Sequence, residues 1–306
     1  MSDMSVDICG VRLKNPIITA SGTFGFGSEY GKFYNLDLLG AIAVKGLTLK
    51  PKSGNKPPRI AETASGILNS VGLENPGIES FINNELLDLK KYNIPIIANI
   101  SGTTVEEYGI IVKMLDDMVD LIEVNVSCPN VLEGGMSFGI KSESVYEVTK
   151  IAKKFARVPI IVKLSPNVTD ISEIAMGAEA GGADGISLIN TITGMKFDIV
   201  NMKPYFDNNI AGLSGPAIKP IALRMVWEVA KKVKIPVIGM GGICTWEDAV
   251  EFLLAGADAI SVGTANFIDP FAPIKILNGL EDYMIRNNIA KLKSLKTISK
   301  KNNIYE

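Results

Sequence analysis

Residues 159–190 read PIIVKLSPNVTDISEIAMGAEAGGADGISLIN. The stretch opens on an apolar run, 159–162, closed by Lys163. Pro159 is tolerated at a first strand position, where its missing N–H is not needed by the ladder. Unbroken apolarity of this length fits a strand buried on both faces, as in a parallel sheet. Thr169 before Asp170 is a capping signal where helical spacing begins, which predicts a helix over 169–180. A second apolar run, 185–189, ends in Asn190. Strand, helix and strand make one βαβ unit.

The same unit recurs along the chain. Runs rich in Ile and Val lie at 16–20, 41–44, 95–98, 121–124, 159–162, 185–189, 236–240 and 259–262. Helical patterns lie between them at 104–118, 142–156, 169–180, 217–233, 245–255 and 272–287. Thr245, with Glu247 and Asp248 in the following turn, is a further N-terminal signal. Eight alternations predict an α/β fold of (β/α)8 TIM-barrel type rather than a doubly wound sheet, because no second-domain break interrupts them. Three gaps exceed one unit: Lys45 to Pro95, Asn125 to Pro159 and Asn190 to Pro236. Each excess follows a strand, so three extended βα loops are expected at the C-terminal mouth, where barrel active sites sit. Residues 1–306 are expected to form one barrel domain, with 291–306 a polar, lysine-rich tail.

Composition excludes much. The 306 residues are 47% hydrophobic and carry a net charge of −2, so nothing predicts nucleic acid or an anionic membrane as partner. The N-terminus lacks a signal-peptide pattern and no run is long enough to span a bilayer, which makes the cytoplasm the expected location. Histidine is absent, which removes the commonest acid/base group, the commonest metal ligand and every Ser–His or Cys–His pair. Cys9, Cys128 and Cys244 are too few for a disulfide framework or a four-thiolate metal or iron–sulfur site, and no metal is expected.

The strand ends carry Ser21, Lys45, Asn99, Asn125, Lys163, Asn190, Gly241-Gly242 and Gly263-Thr264. A barrel needs none of these for stability, and all converge on one mouth. The glycine pairs after strands seven and eight suit an anion, with a helix starting at Thr245 adding its dipole. With no dinucleotide fingerprint or P-loop, the ligand is a phosphorylated substrate, pyridoxal phosphate or FMN. Cys128 opens the loop after strand four, and with histidine absent a thiolate there is a plausible base.

Five stretches carry a resemblance: ASGTFGFG at 20–27, NSVGLENPG at 69–77, NVSCPN at 125–130 followed by Gly134-Gly135 and Phe138-Gly139, GLSGPAIKP at 212–220, and VGTANF at 262–267. Together they resemble the dihydroorotate dehydrogenases over residues 5–285, and within them the catalytic subunit of class 1B. Class 2 relatives use serine as base and carry an N-terminal membrane segment, neither of which this sequence shows.

The resemblance implies FMN-dependent oxidation of (S)-dihydroorotate to orotate in pyrimidine biosynthesis. It implies Cys128 as the base for the C5 proton, with hydride passing from C6 to flavin N5. Lys45, Asn69, Ser70, Val71, Gly72, Leu73, Asn125, Asn130, Asn190 and Thr191 match substrate-binding positions. Ser21, Lys45, Gly46, Asn99, Asn125, Lys163, Ile189, Gly215, Gly241, Gly242, Gly263 and Thr264 match FMN contacts. Residue chemistry agrees: Lys163 offers fixed positive charge where flavin reduction builds negative charge, and asparagines offer donors and acceptors to a pyrimidine. The class also implies a second subunit carrying FAD and a [2Fe-2S] cluster, delivering electrons to NAD+, in a heterotetramer of two catalytic and two partner chains. Alternatives are a class 1A-like fumarate-linked enzyme, a dihydropyrimidine-type oxidoreductase, or a Schiff-base lyase using Lys163.

Overall fold

The structure, a computed structural model, describes residues 2–115, 117–127 and 138–296. Eight parallel strands close into a barrel: Ile17–Thr19, Ala41–Ala43, Ile96–Ile100, Leu121–Asn125, Ile160–Lys163, Gly185–Leu188, Val237–Met240 and Ala259–Val262. Each pairs with the next in chain order and the last with the first. The eight predicted runs are these strands, and the fold is the expected (β/α)8 barrel. They are apolar on both faces because each has two interiors. Ile17, Ile42, Ile122 and Ile260 face the surrounding helices, while Ile18, Ala43, Leu121 and Ala259 fill the barrel.

The main helices lie close to the predicted spans: Val105–Leu115, Ser142–Phe155, Ile171–Ala180, Lys219–Lys232, Trp246–Leu254 and Ala272–Arg286. One cap differs from its reading. Asp170, not Thr169, caps Ile171–Ala180, its carboxylate accepting from the amides of Ser172 and Glu173. Alternation is also looser at the start. Strands one and two are joined by the 3₁₀ turns Tyr30–Lys32 and Leu36–Leu38, in a segment where Gly22, Gly25 and Gly27 take positive φ and prevent a regular helix.

Two further elements escaped the periodicity. Val6–Ile8 and Val11–Leu13 form a hairpin whose two-residue turn, Cys9-Gly10, has positive φ at both positions. Its Ile8 and Leu13 are fully buried among the inward residues at the N-terminal end of the barrel, so the hairpin is a plug. At the opposite end, Ile60–Thr63, Gly66–Asn69, Ile192–Met195 and Ile210–Ser214 form one antiparallel sheet. Two of the three long mouth loops thus pair with each other, Asn69 standing opposite Gly212, and make a roof over the mouth.

The segment expected as a tail begins packed. Leu292 and Leu295 are buried, and Lys296 pairs with Asp258 at 2.9 Å. Leucines three apart turn one side of 291–296 toward the barrel while the lysines stay outside. Among the described residues no helix is long and apolar enough to cross a membrane.

Candidate functional site

A cavity of about 1110 Å³ opens between the strand ends and the roof. Strand ends supply Ser21, Lys45, Gly46, Asn99, Asn125 and Lys163 from the first half of the barrel. The second half supplies Ile189, Asn190, Thr191, Gly241, Gly242, Gly263 and Thr264. The roof and its connections add Asn69, Ser70, Val71, Gly72, Leu73 and Gly215. Every described residue that the resemblance matched to substrate or FMN therefore faces one space. Cys128 and Asn130, with Gly134 and Gly135, lie outside the described residues.

Period two along the strands explains the arrangement. Leu121 belongs to the apolar barrel filling, Glu123 stands above it, and Asn125 reaches the cavity. Glu123 is 4% exposed. Its Oε2 accepts from Asn99 Nδ2 at 2.5 Å and lies 3.6 Å from Lys163 Nζ, while its Oε1 accepts from Ser187 Oγ at 2.6 Å. A charge this deep is tolerated because it is both paired and hydrogen-bonded. The cavity floor is thus a built polar layer on an apolar one.

Beside it lies a chain of amides. Asn190 Nδ2 donates to Asn125 Oδ1 at 3.3 Å, and that oxygen also accepts from the Ser127 amide. Tyr108, fully buried, donates its hydroxyl to the Asn125 carbonyl at 2.9 Å. Asn167 bridges the next turn, donating to Thr191 O and accepting from Thr193 N. On the roof side Glu74 joins two cations, 2.8 Å from Arg59 and 3.7 Å from Lys45. Asn55 donates to the carbonyl and hydroxyl oxygens of Ser70.

At the far end Gly215, Gly241 and Gly242 have φ of 99°, 123° and 77°. A Cβ at Gly242 would lie 2.9 Å from the Gly215 carbonyl, so only glycine lets these turns approach. Thr264 donates to Ser214 Oγ at 2.9 Å, tying strand eight to the roof. The helix at Thr245 does not add the expected dipole to this cradle. Neither Cys244 nor Thr245 lines the cavity, and their amides are taken by Asp248, which closes a capping box with Thr245. The acidic residue that marked the helix start already occupies its N-terminus.

The family model for dihydroorotate dehydrogenase matches residues 3–284. The chain belongs to the dihydroorotate dehydrogenase family. The resemblance read from the motifs is thereby borne out. Among dihydroorotate dehydrogenases of the type named "Dihydroorotate dehydrogenase B (NAD(+)), catalytic subunit", the chain is 56% identical over 294 residues to that of Thermoanaerobacter pseudethanolicus, covering 96% of this chain and 97% of the relative. It is 56% identical to the protein of that name from Caldicellulosiruptor saccharolyticus, over 96% and 98% of the two chains. With that of Alkaliphilus oremlandii it shares 58% over 94% and 95%. The chain is an oxidoreductase of this family, and the lyase reading falls; Lys163 Nζ is engaged with a buried carboxylate.

Cys9 donates its S–H to the Asp184 carbonyl at the plug end, and burial, followed by Asp184 and Asp7, pushes its pKa up to about 12. Burial, followed by Asp248, also raises that of Cys244. Neither faces the cavity. Sequence reading missed Glu123, Asn167, Asn55 and Arg59. For Glu123 a signal existed, a lone acid inside the apolar run at 121–124.

Proposed function

We propose that this chain is the catalytic subunit of an NAD+-linked dihydroorotate dehydrogenase, oxidising (S)-dihydroorotate to orotate with FMN in the mouth cavity. One observation carries the reading: a buried cation, a set of amides and a glycine cradle meet in one cavity, in a chain 56% identical to relatives bearing that name.

The donor set fits FMN. The glycine turns at Gly215, Gly241 and Gly242, with Thr264, offer backbone and hydroxyl donors suited to a phosphate. Gly46 leaves open the space before Asn99 Oδ1, an acceptor suited to a ring N–H. Ser21, Ile189 and Gly263 complete the surround. Bound FMN supplies the hydride acceptor, which no side chain can be. Lys163 sets a fixed cation against the charge that reduction creates.

Dihydroorotate is held by Lys45, Asn125, Asn190, Thr191, Asn130 and the 69–73 turn. Its ring presents both donors and acceptors, which asparagine amides match, and its carboxylate suits Lys45. Cys128 is the base that takes the C5 proton. The placement and raised pKa of the other two thiols support that choice. Electrons leave to NAD+ through a partner subunit carrying FAD and a [2Fe-2S] cluster, in a cytoplasmic heterotetramer of two chains of each kind.

The test is anaerobic addition of dihydroorotate to the purified flavin-loaded chain. Flavin absorbance bleaches in the wild type and persists in Cys128→Ala near neutral pH. A wild-type bleaching rate in the alanine variant removes Cys128 as base, and a chain that binds no flavin overturns the whole reading. The isolated chain does not reduce NAD+.

A further inference from the structure

Glu123 does not line the cavity, yet it grips two residues that do. An asparagine amide can present either its oxygen or its nitrogen, and its neighbours decide which. Glu123 can only accept when ionised, so it selects Nδ2 of Asn99, at 2.5 Å. The Asn99 oxygen is then left over. It is buried, lacks a hydrogen-bond partner among the described residues, and belongs to a side chain 1% exposed. A Cβ at position 46 would stand 3.0 Å from it, and glycine keeps that approach open. Unmet buried acceptors cost stability and are rare, which marks this one as awaiting a donor. The same Glu123 oxygen lies 3.6 Å from Lys163 Nζ, both residues being about 5% exposed, so its charge offsets part of the field that Lys163 projects upward.

We propose that Glu123 is a positioning residue that tunes the bound flavin: it fixes the Asn99 amide with its acceptor oxygen toward the cavity, and it moderates the positive field of Lys163, so that it sets the flavin reduction potential. This rests on the flavin reading above. Fixed charge beside a flavin favours whichever redox state it complements. With the carboxylate neutralised, Lys163 acts unopposed and the reduced, more negative flavin is favoured.

The test is spectroelectrochemical titration of the flavin-loaded chain. Glu123→Gln keeps side-chain size and removes the charge. Affinity for reduced over oxidised flavin rises about tenfold, a positive shift of about 30 mV for a two-electron couple, and the visible flavin bands move as the Asn99 amide is released. Ser187→Ala is the control, since it removes a hydrogen bond from the same carboxylate without removing charge. It lowers the melting temperature and leaves the potential in place. Where Glu123→Gln does not fold, Glu123→Asp carries the test: its carboxylate draws back from Lys163 and shifts the potential in the same direction by less. An unchanged potential in a folded, flavin-loaded Glu123 variant overturns the proposal. So does an equal shift in Ser187→Ala, because the role would then be packing alone. Failure of the wild-type chain to bind flavin strikes the functional reading instead.

Discussion

Lys219 Nζ lies 2.7 Å from Asp248 Oδ1, while the other oxygen of that carboxylate accepts from the amides of Cys244 and Thr245 at 2.8 and 2.9 Å. One side chain thus closes a helix start and ties it to the preceding helix. Burial alone would raise the Asp248 pKa, but the Lys219 ammonium and the two amides outweigh it and hold the carboxyl below its ordinary value. A depressed native pKa means stability that is present above the unfolded pKa and is lost as pH falls through the native one. Asp248→Asn therefore costs about 1–2 kcal/mol near neutrality. Thermal melts from pH 7 downward show the gap between wild type and variant narrowing below pH about 4; a gap that is constant with pH defeats the assignment.

Thiol labelling distinguishes the cysteines. Cys9, with its pKa pushed up to about 12, and Cys244, also raised, are protonated near neutral pH and the thiol is the unreactive form. Iodoacetamide on the native protein is expected to modify Cys128 and to reach Cys9 and Cys244 only after denaturation. Peptide mass mapping reads this directly, and rapid native labelling of Cys9 contradicts the burial argument.

The plug separates stability from chemistry. Ile8 is fully buried against the barrel filling, far along the strands from the cavity. Ile8→Ala costs about 2–5 kcal/mol. Urea denaturation shows the loss, whereas flavin content of the folded protein stays at the wild-type level. Loss of flavin from the folded variant argues that plug and cavity are coupled.

The glycine cradle allows no side chain at its centre. At Gly242 a Cβ would meet the Gly215 carbonyl at 2.9 Å and Lys219 Cβ at 2.8 Å, on a backbone with φ of 77°. Gly242→Ala is expected to weaken FMN at least tenfold, about 1.4 kcal/mol, while riboflavin, which lacks the phosphate, is affected less. Fluorescence titration of the apo chain compares the two ligands; equal losses place the phosphate elsewhere.

What could be read from the sequence followed from how local each signal was. The eight barrel strands are apolar on both faces, so their runs stand out without knowledge of partners. The helices announce themselves through spacing and caps, though at 169–171 the cap moved by one residue. The roof was not legible, because Gly66–Asn69 and Ile210–Ser214 are short, interrupted by glycine and paired across more than 140 residues. Glu123 shows in the sequence only as a lone acid in an apolar run; its role does not, because its partners Asn99, Lys163 and Ser187 come from three other strands. At Thr245 the capping residues are legible in the sequence, but the terminus they mark is closed by Asp248 itself.

The roof has a consequence for how such a chain can change. Its ladder sets Asn69 opposite Gly212, and Thr193 opposite Gly212 from the other side. A strand that slips by one residue turns every side chain to the opposite face. Lengthening or shortening the 66–69 strand by a single residue within the ladder would swing Asn69 away from the cavity, even with the barrel below untouched. A change of length in one loop therefore has to be matched across the ladder by the other.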